Sequence, residues 1–326
     1  MPCDFERALL LGALLIPAAA GSARSASNAF VWPDPQTNGI VLVNANQNIA
    51  SYVRRHPDWF SQGELVLDLS ISNRPDDPAA AERERSGIQQ LLTSRGMTVG
   101  TYISGTTVAP RADIKYLPYD KVPAEWMPEG FAAAGSWPGE PQRKIIDVTD
   151  ARTRRALHDG IRRLWRQSDA CLRFVDNAAS HSSTGGKQPW AAQCANIREI
   201  RRLGESLGCR LVFNVSVQPA LLSDSGAGQL AKAIGRGNGI LLEDPWGEAT
   251  RKSPALTRQA QAFYRRLLDQ GIAVIMLPVK ISTGTLLGWV GTWRLPTDRL
   301  YLGWSFWKQP WDGKRPWERT AQHAGQ

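Results

Sequence analysis

The runs LRFVD (Leu172–Asp176), RLVFNV (Arg210–Val215), GILLE (Gly239–Glu243) and IAVIML (Ile272–Leu277) decide the fold. Each is short, apolar and rich in β-branched residues. None alternates strictly between apolar and polar positions, the pattern of parallel strands buried on both faces. Upstream, the same signature recurs in GIVLVNA (Gly39–Ala45), ELVLDLSI (Glu64–Ile71), TVGTYI (Thr98–Ile103) and KIIDV (Lys144–Val148). Downstream it recurs in RLYLGWSF (Arg299–Phe306). Helical periodicity fills the gaps, over Ala79–Arg95, Arg152–Gln167, Pro189–Leu207, Ala227–Gly235 and Ser253–Gln270.

This alternation predicts an α/β chain with a parallel sheet, and its length suits a single-domain (β/α)8 TIM-type barrel with a Trp-rich C-terminal segment. Nine candidate strands compete for eight places, so one belongs elsewhere. No G-x-G-x-x-G follows the first strand, against a dinucleotide-binding fold. The long segment Thr106–Arg143, rich in Pro, Trp and Gly, follows the third candidate strand and is expected on the barrel face that carries sites.

The N-terminal segment Ala8–Ala20, ALLLGALLIPAAA, is too short for a bilayer span and is followed by small residues. It reads as a signal peptide over residues 1–26, cleaved near 23–26, with the barrel over 27–326. That implies an exported, periplasmic or extracellular protein with no transmembrane segment. The net charge is +9. The basic residues are scattered over predicted outer helix faces. In Arg152–Gln167, for example, Ala156, Leu157, Ile161, Leu164 and Trp165 form the buried stripe. No nucleic-acid-binding signature is present. With four His and Cys spacings that match no zinc site, neither a metal nor another cofactor is expected. If the chain is exported, Cys171 and Cys209, at the starts of neighbouring strands, are the favoured disulfide pair.

Polar residues at the C-terminal ends of barrel strands face the site. Here these are Asp68, Tyr102, Ser104, Asp147, Asp150, Asp176, Asn177, Asn214, Glu243 and Asp244. Two such carboxylates are what glycosidic bond cleavage needs, one to protonate the departing oxygen and one to attack or to activate water. Asp176 and Glu243, two strands apart, can reach one ligand. The thirteen Trp supply flat faces for sugar stacking. Trp126, Trp137, Trp246 and Trp311 lie in polar or Pro/Gly-rich surroundings that favour a cleft. His181, in the loop after Asp176, is a further substrate-side candidate.

The runs LRFVDNAASH, NGILLEDPW, VGTYISGT and KIIDVTDARTRRAL resemble motifs of the endo-α-1,4-polygalactosaminidase family, glycoside hydrolase family 114, and its barrel relatives. The resemblance spans roughly residues 39–280. It implies that Asp176 and Glu243 are the catalytic pair and that Tyr102, Asp147 and Asn214 are substrate-side positions. Asn177, His181 and Trp246 complete the expected substrate set, and a polysaccharide or oligosaccharide is the expected partner. A chain of this charge suits a neutral or anionic glycan better than a cationic one. The alternatives are a carbohydrate-binding barrel without catalysis and a metal-dependent barrel deacetylase or lyase.

Overall fold

The structure is a computed structural model. It describes residues 30–35, 40–43, 45–46, 48–57, 60, 63–72, 74, 76–117, 120–179, 188–215, 223–243, 253–278 and 295–305.

The first half contains β1 (Ile40–Val43), α1 (Asn48–Arg55), β2 (Leu65–Val66), β3 (Ile71–Ser72), α2 (Pro78–Ser94), β4 (Thr98–Val99) and β5 (Thr101–Ser104). An inserted region follows: β6 (Thr107–Ala109), β7 (Tyr116–Leu117), β8 (Val122–Pro123), β9 (Ala133–Trp137) and β10 (Glu140–Ile146). The regular alternation then resumes with α3 (Ala151–Trp165), β11 (Leu172–Asp176), α4 (Trp190–Ser206), β12 (Arg210–Asn214), α5 (Asp224–Ile234), β13 (Gly239–Glu243), α6 (Pro254–Asp269), β14 (Ala273–Leu277) and β15 (Leu300–Ser305). The helix starts are written locally. Asp77 accepts from the Ala80 amide and Asp150 from the Thr153 amide, at 2.8 and 2.7 Å. Ser223 and Ser253 cap α5 and α6 in the same way. Each such cap satisfies an amide that the first helical turn leaves unpaired.

The large sheet runs β4-β2-β1-β15-β14-β13-β12-β11-β5, with every pair parallel. β4 and β5 are separated only by Gly100, so its two edges are one strand. The sheet is therefore a closed barrel of eight strands, alternating with helices. Gly100 makes the seam possible. A Cβ there would lie 2.3 Å from the Leu67 carbonyl oxygen, and its amide bonds the Val66 oxygen at 2.8 Å.

Period-2 alternation divides the strand residues. Val41, Val43, Leu65, Leu67, Leu172, Phe174, Val212, Leu241 and Ile275 fill the lumen. Val175, Leu211, Phe213, Ile240, Leu242 and Val274 face the helices. Leu157, Ile161, Leu164 and Trp165 of α3 are buried against that outer layer, and Ala156 packs at its edge. Trp304 is buried in a satellite cluster with Leu42 and Ile49.

One expected barrel strand is not one. Lys144–Val148 coincides with the end of β10, which pairs antiparallel with β6 and β9 in a four-stranded sheet ordered β8-β6-β10-β9. An apolar run of that length reads the same in a barrel or a rim hairpin, and only its partners separate the two. The insertion leaves β5 at its C-terminal end, the face that carries sites. The expected Cys171–Cys209 bond is absent. Cys171, Cys194 and Cys209 are free thiols, and the Cys209 thiol is directed at the carbonyls of Ala170 and Leu207. Among the described residues, no helix is long and apolar enough to cross a membrane.

Candidate active site

Strand parity and barrel closure together build the site. Phe174 is in register with Tyr102, and Asp176 with Ser104. Asp176 therefore lies two residues above Phe174, on the same lumenal face as Tyr102. Asn214 follows Val212 in β12, and Glu243 follows Leu241 in β13, with the same parity. Phe174, Val212 and Leu241 plug the lumen below, and the polar quartet sits on top of that plug.

Asp176 is held by four donors. Its Oδ2 accepts from the Tyr102 hydroxyl at 2.6 Å and from Asn177 Nδ2 at 2.9 Å. Its Oδ1 accepts from the Asn177 amide and from Asn214 Nδ2, both at 2.8 Å. The same Asn214 nitrogen donates to Glu243 Oε1 at 3.0 Å. Carboxylates offer only acceptors, so the Asn214 amide must turn its nitrogen to both acids. Two bonds of 2.8 and 3.0 Å from one atom hold the two acid oxygens no more than about 5.8 Å apart.

Burial raises the Asp176 carboxyl above the ordinary aspartate value. The Tyr102 bond opposes this, the charge of Glu243 adds to it, and the Asn177 and Asn214 bonds oppose it. Burial, with the charges of Asp176 and Asp120, pushes the Tyr102 phenol well above its usual range, so it stays a hydrogen-bond donor. Asn177 has φ 49°, the left-handed region that Asn tolerates better than most residues. That conformation turns its amide and side chain back onto Asp176. Thr106 Oγ1 fixes it by donating to the Asn177 carbonyl at 2.7 Å. Strain of this kind gathers at functional sites.

Other expected site residues stand apart. Asp147 turns its carboxylate onto the amide and hydroxyl of Thr149, at 2.8 and 2.6 Å, in the turn that leads into α3. It belongs to the inserted sheet's exit rather than to a barrel strand end, for the reason given for Lys144–Val148. Asp150 caps α3, and the Thr153 bonds hold its carboxyl below the usual value. Asp68 is fully buried and accepts from Ser70 Oγ at 3.1 Å. Trp126 carries the guanidinium groups of Arg111 and Arg163 over its ring, 5.8 and 4.1 Å from the centroid, and packs against the core. His181, Asp244, Trp246 and Trp311 lie outside the described residues.

The sequence reading missed Asp120, Lys121 and Arg143, all buried and all from the insertion. Asp120 and Lys121 form an ion pair, and the Asp120 carbonyl accepts from the Ser104 amide at 2.8 Å. Their only sequence signal is charge within a Trp- and Pro-rich segment. Among the described residues, no cluster of His, Cys, Asp and Glu could hold a metal ion.

No family model matches the chain, and no characterised protein matches it by sequence. Solved structures align over most of its length. Ega3 of Aspergillus fumigatus, in complex with galactosamine, is 10% identical, covers 87% of this chain and 97% of its own, and gives a TM-score of 0.48. A GH18 chitinase from Pseudoalteromonas aurantia is 11% identical, covering 87% and 98%, with a TM-score of 0.49. The glycoside hydrolase domain of PgaB from Bordetella bronchiseptica is 12% identical, covering 82% and 93%, with a TM-score of 0.47. At these values the fold rests on the strand pairing itself, and the site rests on its own geometry.

Proposed function

We propose that the chain is an exported glycoside hydrolase that cleaves a polysaccharide with retention of configuration. The observation that carries this reading is the bridge from Asn214 to both Asp176 and Glu243. Retaining enzymes hold their two carboxyl groups about 5–5.5 Å apart, whereas inverting enzymes need about 6.5–9.5 Å to admit a water. The upper bound set by the bridge suits the shorter class.

The roles follow from the surroundings of each acid. The four hydrogen bonds that Asp176 accepts work against the burial that raises its carboxyl, and they fix its position, which suits a nucleophile. Glu243 is exposed at the strand end, suiting a group that exchanges protons with solvent. In the first step Asp176 attacks the anomeric carbon while Glu243 protonates the departing oxygen. In the second, Glu243 takes a proton from water as that water displaces Asp176 from the sugar. Export is supported by the sequence of residues 1–26.

The test is reducing-end release from a polysaccharide panel, followed by the anomer of the first product by NMR. Glu243→Gln and Asp176→Asn are expected to abolish release with the circular dichroism spectrum unchanged. Full activity in either variant, or an inverted first product, would refute the assignment. Glycan binding without release by the unsubstituted chain would favour a carbohydrate-binding barrel.

A further inference from the structure

Among the described residues, Arg143 stands beside this site with no counter-ion. It is carried by β10 and is only 8% exposed. Its Nε donates to Thr107 Oγ1 at 3.3 Å, and Thr107 donates to Ser104 Oγ at 2.6 Å. Ser104 is the residue in register with Asp176. The guanidinium lies over the Trp137 ring, 3.7 Å from its centroid. Among the described residues, its Nη1 and Nη2 atoms have no hydrogen-bond partner, and no carboxylate comes within 4.0 Å. Asp120, a buried acid on the same insertion, pairs through Oδ2 with Lys121, and its Oδ1 has no hydrogen-bond partner among the described residues. One hydroxyl and one ring face hold the Arg143 guanidinium, while its two terminal nitrogens are not among the enclosed unpaired atoms and stay open to a ligand from solvent. Through Thr107 and Ser104, Arg143 is joined to the strand position level with Asp176, and its charge acts on the Tyr102 phenol against those of Asp176 and Asp120.

We propose that Arg143, held flat by Trp137, binds the carboxylate of an acidic sugar, so that the substrate is a uronate-containing glycan. With Nε occupied, the two terminal nitrogens present an end-on fork, and a planar carboxylate fills both branches. The net charge of +9 favours the approach of a polyanion. The inference rests on the hydrolase reading for the word substrate, and on Arg143 and Trp137 for the carboxylate.

The experiment uses the Glu243→Gln protein, in which cleavage is silenced. It is titrated by calorimetry with galacturonate, glucuronate and mannuronate oligosaccharides and with their carboxyl-reduced counterparts. At least one acidic oligosaccharide is expected to bind about tenfold or more tighter than its reduced form, the scale of one charge-assisted hydrogen-bonded pair. Adding Arg143→Gln is expected to bring the two within about twofold. Adding Arg143→Lys, which keeps the charge and loses the fork, is expected to leave an intermediate preference. Binding of no acidic oligosaccharide, or a preference that survives Arg143→Gln, would overturn the proposal. Acid binding without cleavage by the unsubstituted chain would sink the hydrolase reading and leave this subsite standing. Cleavage confined to neutral glycans would do the reverse.

Discussion

Replacing Asn214 by leucine removes the donor shared by both acids while nearly keeping its shape. Asp176 now has donors at 2.6, 2.8, 2.8 and 2.9 Å. The change deletes one of the 2.8 Å bonds. A hydrogen bond to a charged group contributes about 1.5–3 kcal/mol, and one pKa unit is about 1.36 kcal/mol. The ionised form of Asp176 therefore loses about 1.5–3 kcal/mol of stabilisation, on top of the burial that already raises its carboxyl. A nucleophile must be deprotonated, so the acidic limb of kcat/KM against pH is expected to move to higher pH. The pH-rate profile of the two proteins on one glycan measures it, since kcat/KM reports the free enzyme's titrations. A donor that only bound substrate would raise KM and leave the limb where it was. An unmoved limb would therefore refute the role given to Asn214, whatever the loss of rate.

Tyr102→Phe deletes the 2.6 Å bond, which lowers the Asp176 value, so the acidic limb should again shift to higher pH, with kcat falling about tenfold or more at neutral pH. Glu243→Gln removes a charge that raises Asp176, so the Asp176 carboxyl should titrate at lower pH, as followed by carbon NMR. Asn177→Ala places a Cβ-bearing residue without a polar side chain at φ 49° and is expected to cost about 1–2 kcal/mol by denaturant unfolding. Asn177→Gly should restore most of that stability but not the rate, because Nδ2 no longer holds Asp176. Gly100→Ala forces a Cβ to within 2.3 Å of the Leu67 oxygen, and a loss of about 2 kcal/mol or more in the unfolding midpoint analysis is expected at the barrel seam.

All eight barrel strands and five of the helices were legible as local patterns. Buried parallel strands and amphipathic helices write their periods into adjacent residues. The observed α2 and α4, Pro78–Ser94 and Trp190–Ser206, fall within one residue of their expected ends. The short α1 was missed, because eight residues give little periodicity to read. Lys144–Val148 was misplaced because its sequence states that it is a strand and does not state its partners.

The sequence by itself determined that Asp176, Asn214 and Glu243 end consecutive parallel strands, with matching parity above apolar residues. The tertiary structure decided the rest. Closure at Gly100 and the register of β11, β12 and β13 bring two acids 67 positions apart onto one amide nitrogen. The same closure carries Tyr102 from 74 positions away onto Asp176. It leaves Asp147 serving a turn and brings Arg143, on an inserted hairpin, to the rim. Periodicity is a property of neighbouring residues, whereas these distances are set by how a sheet twists and shuts, which no local run encodes.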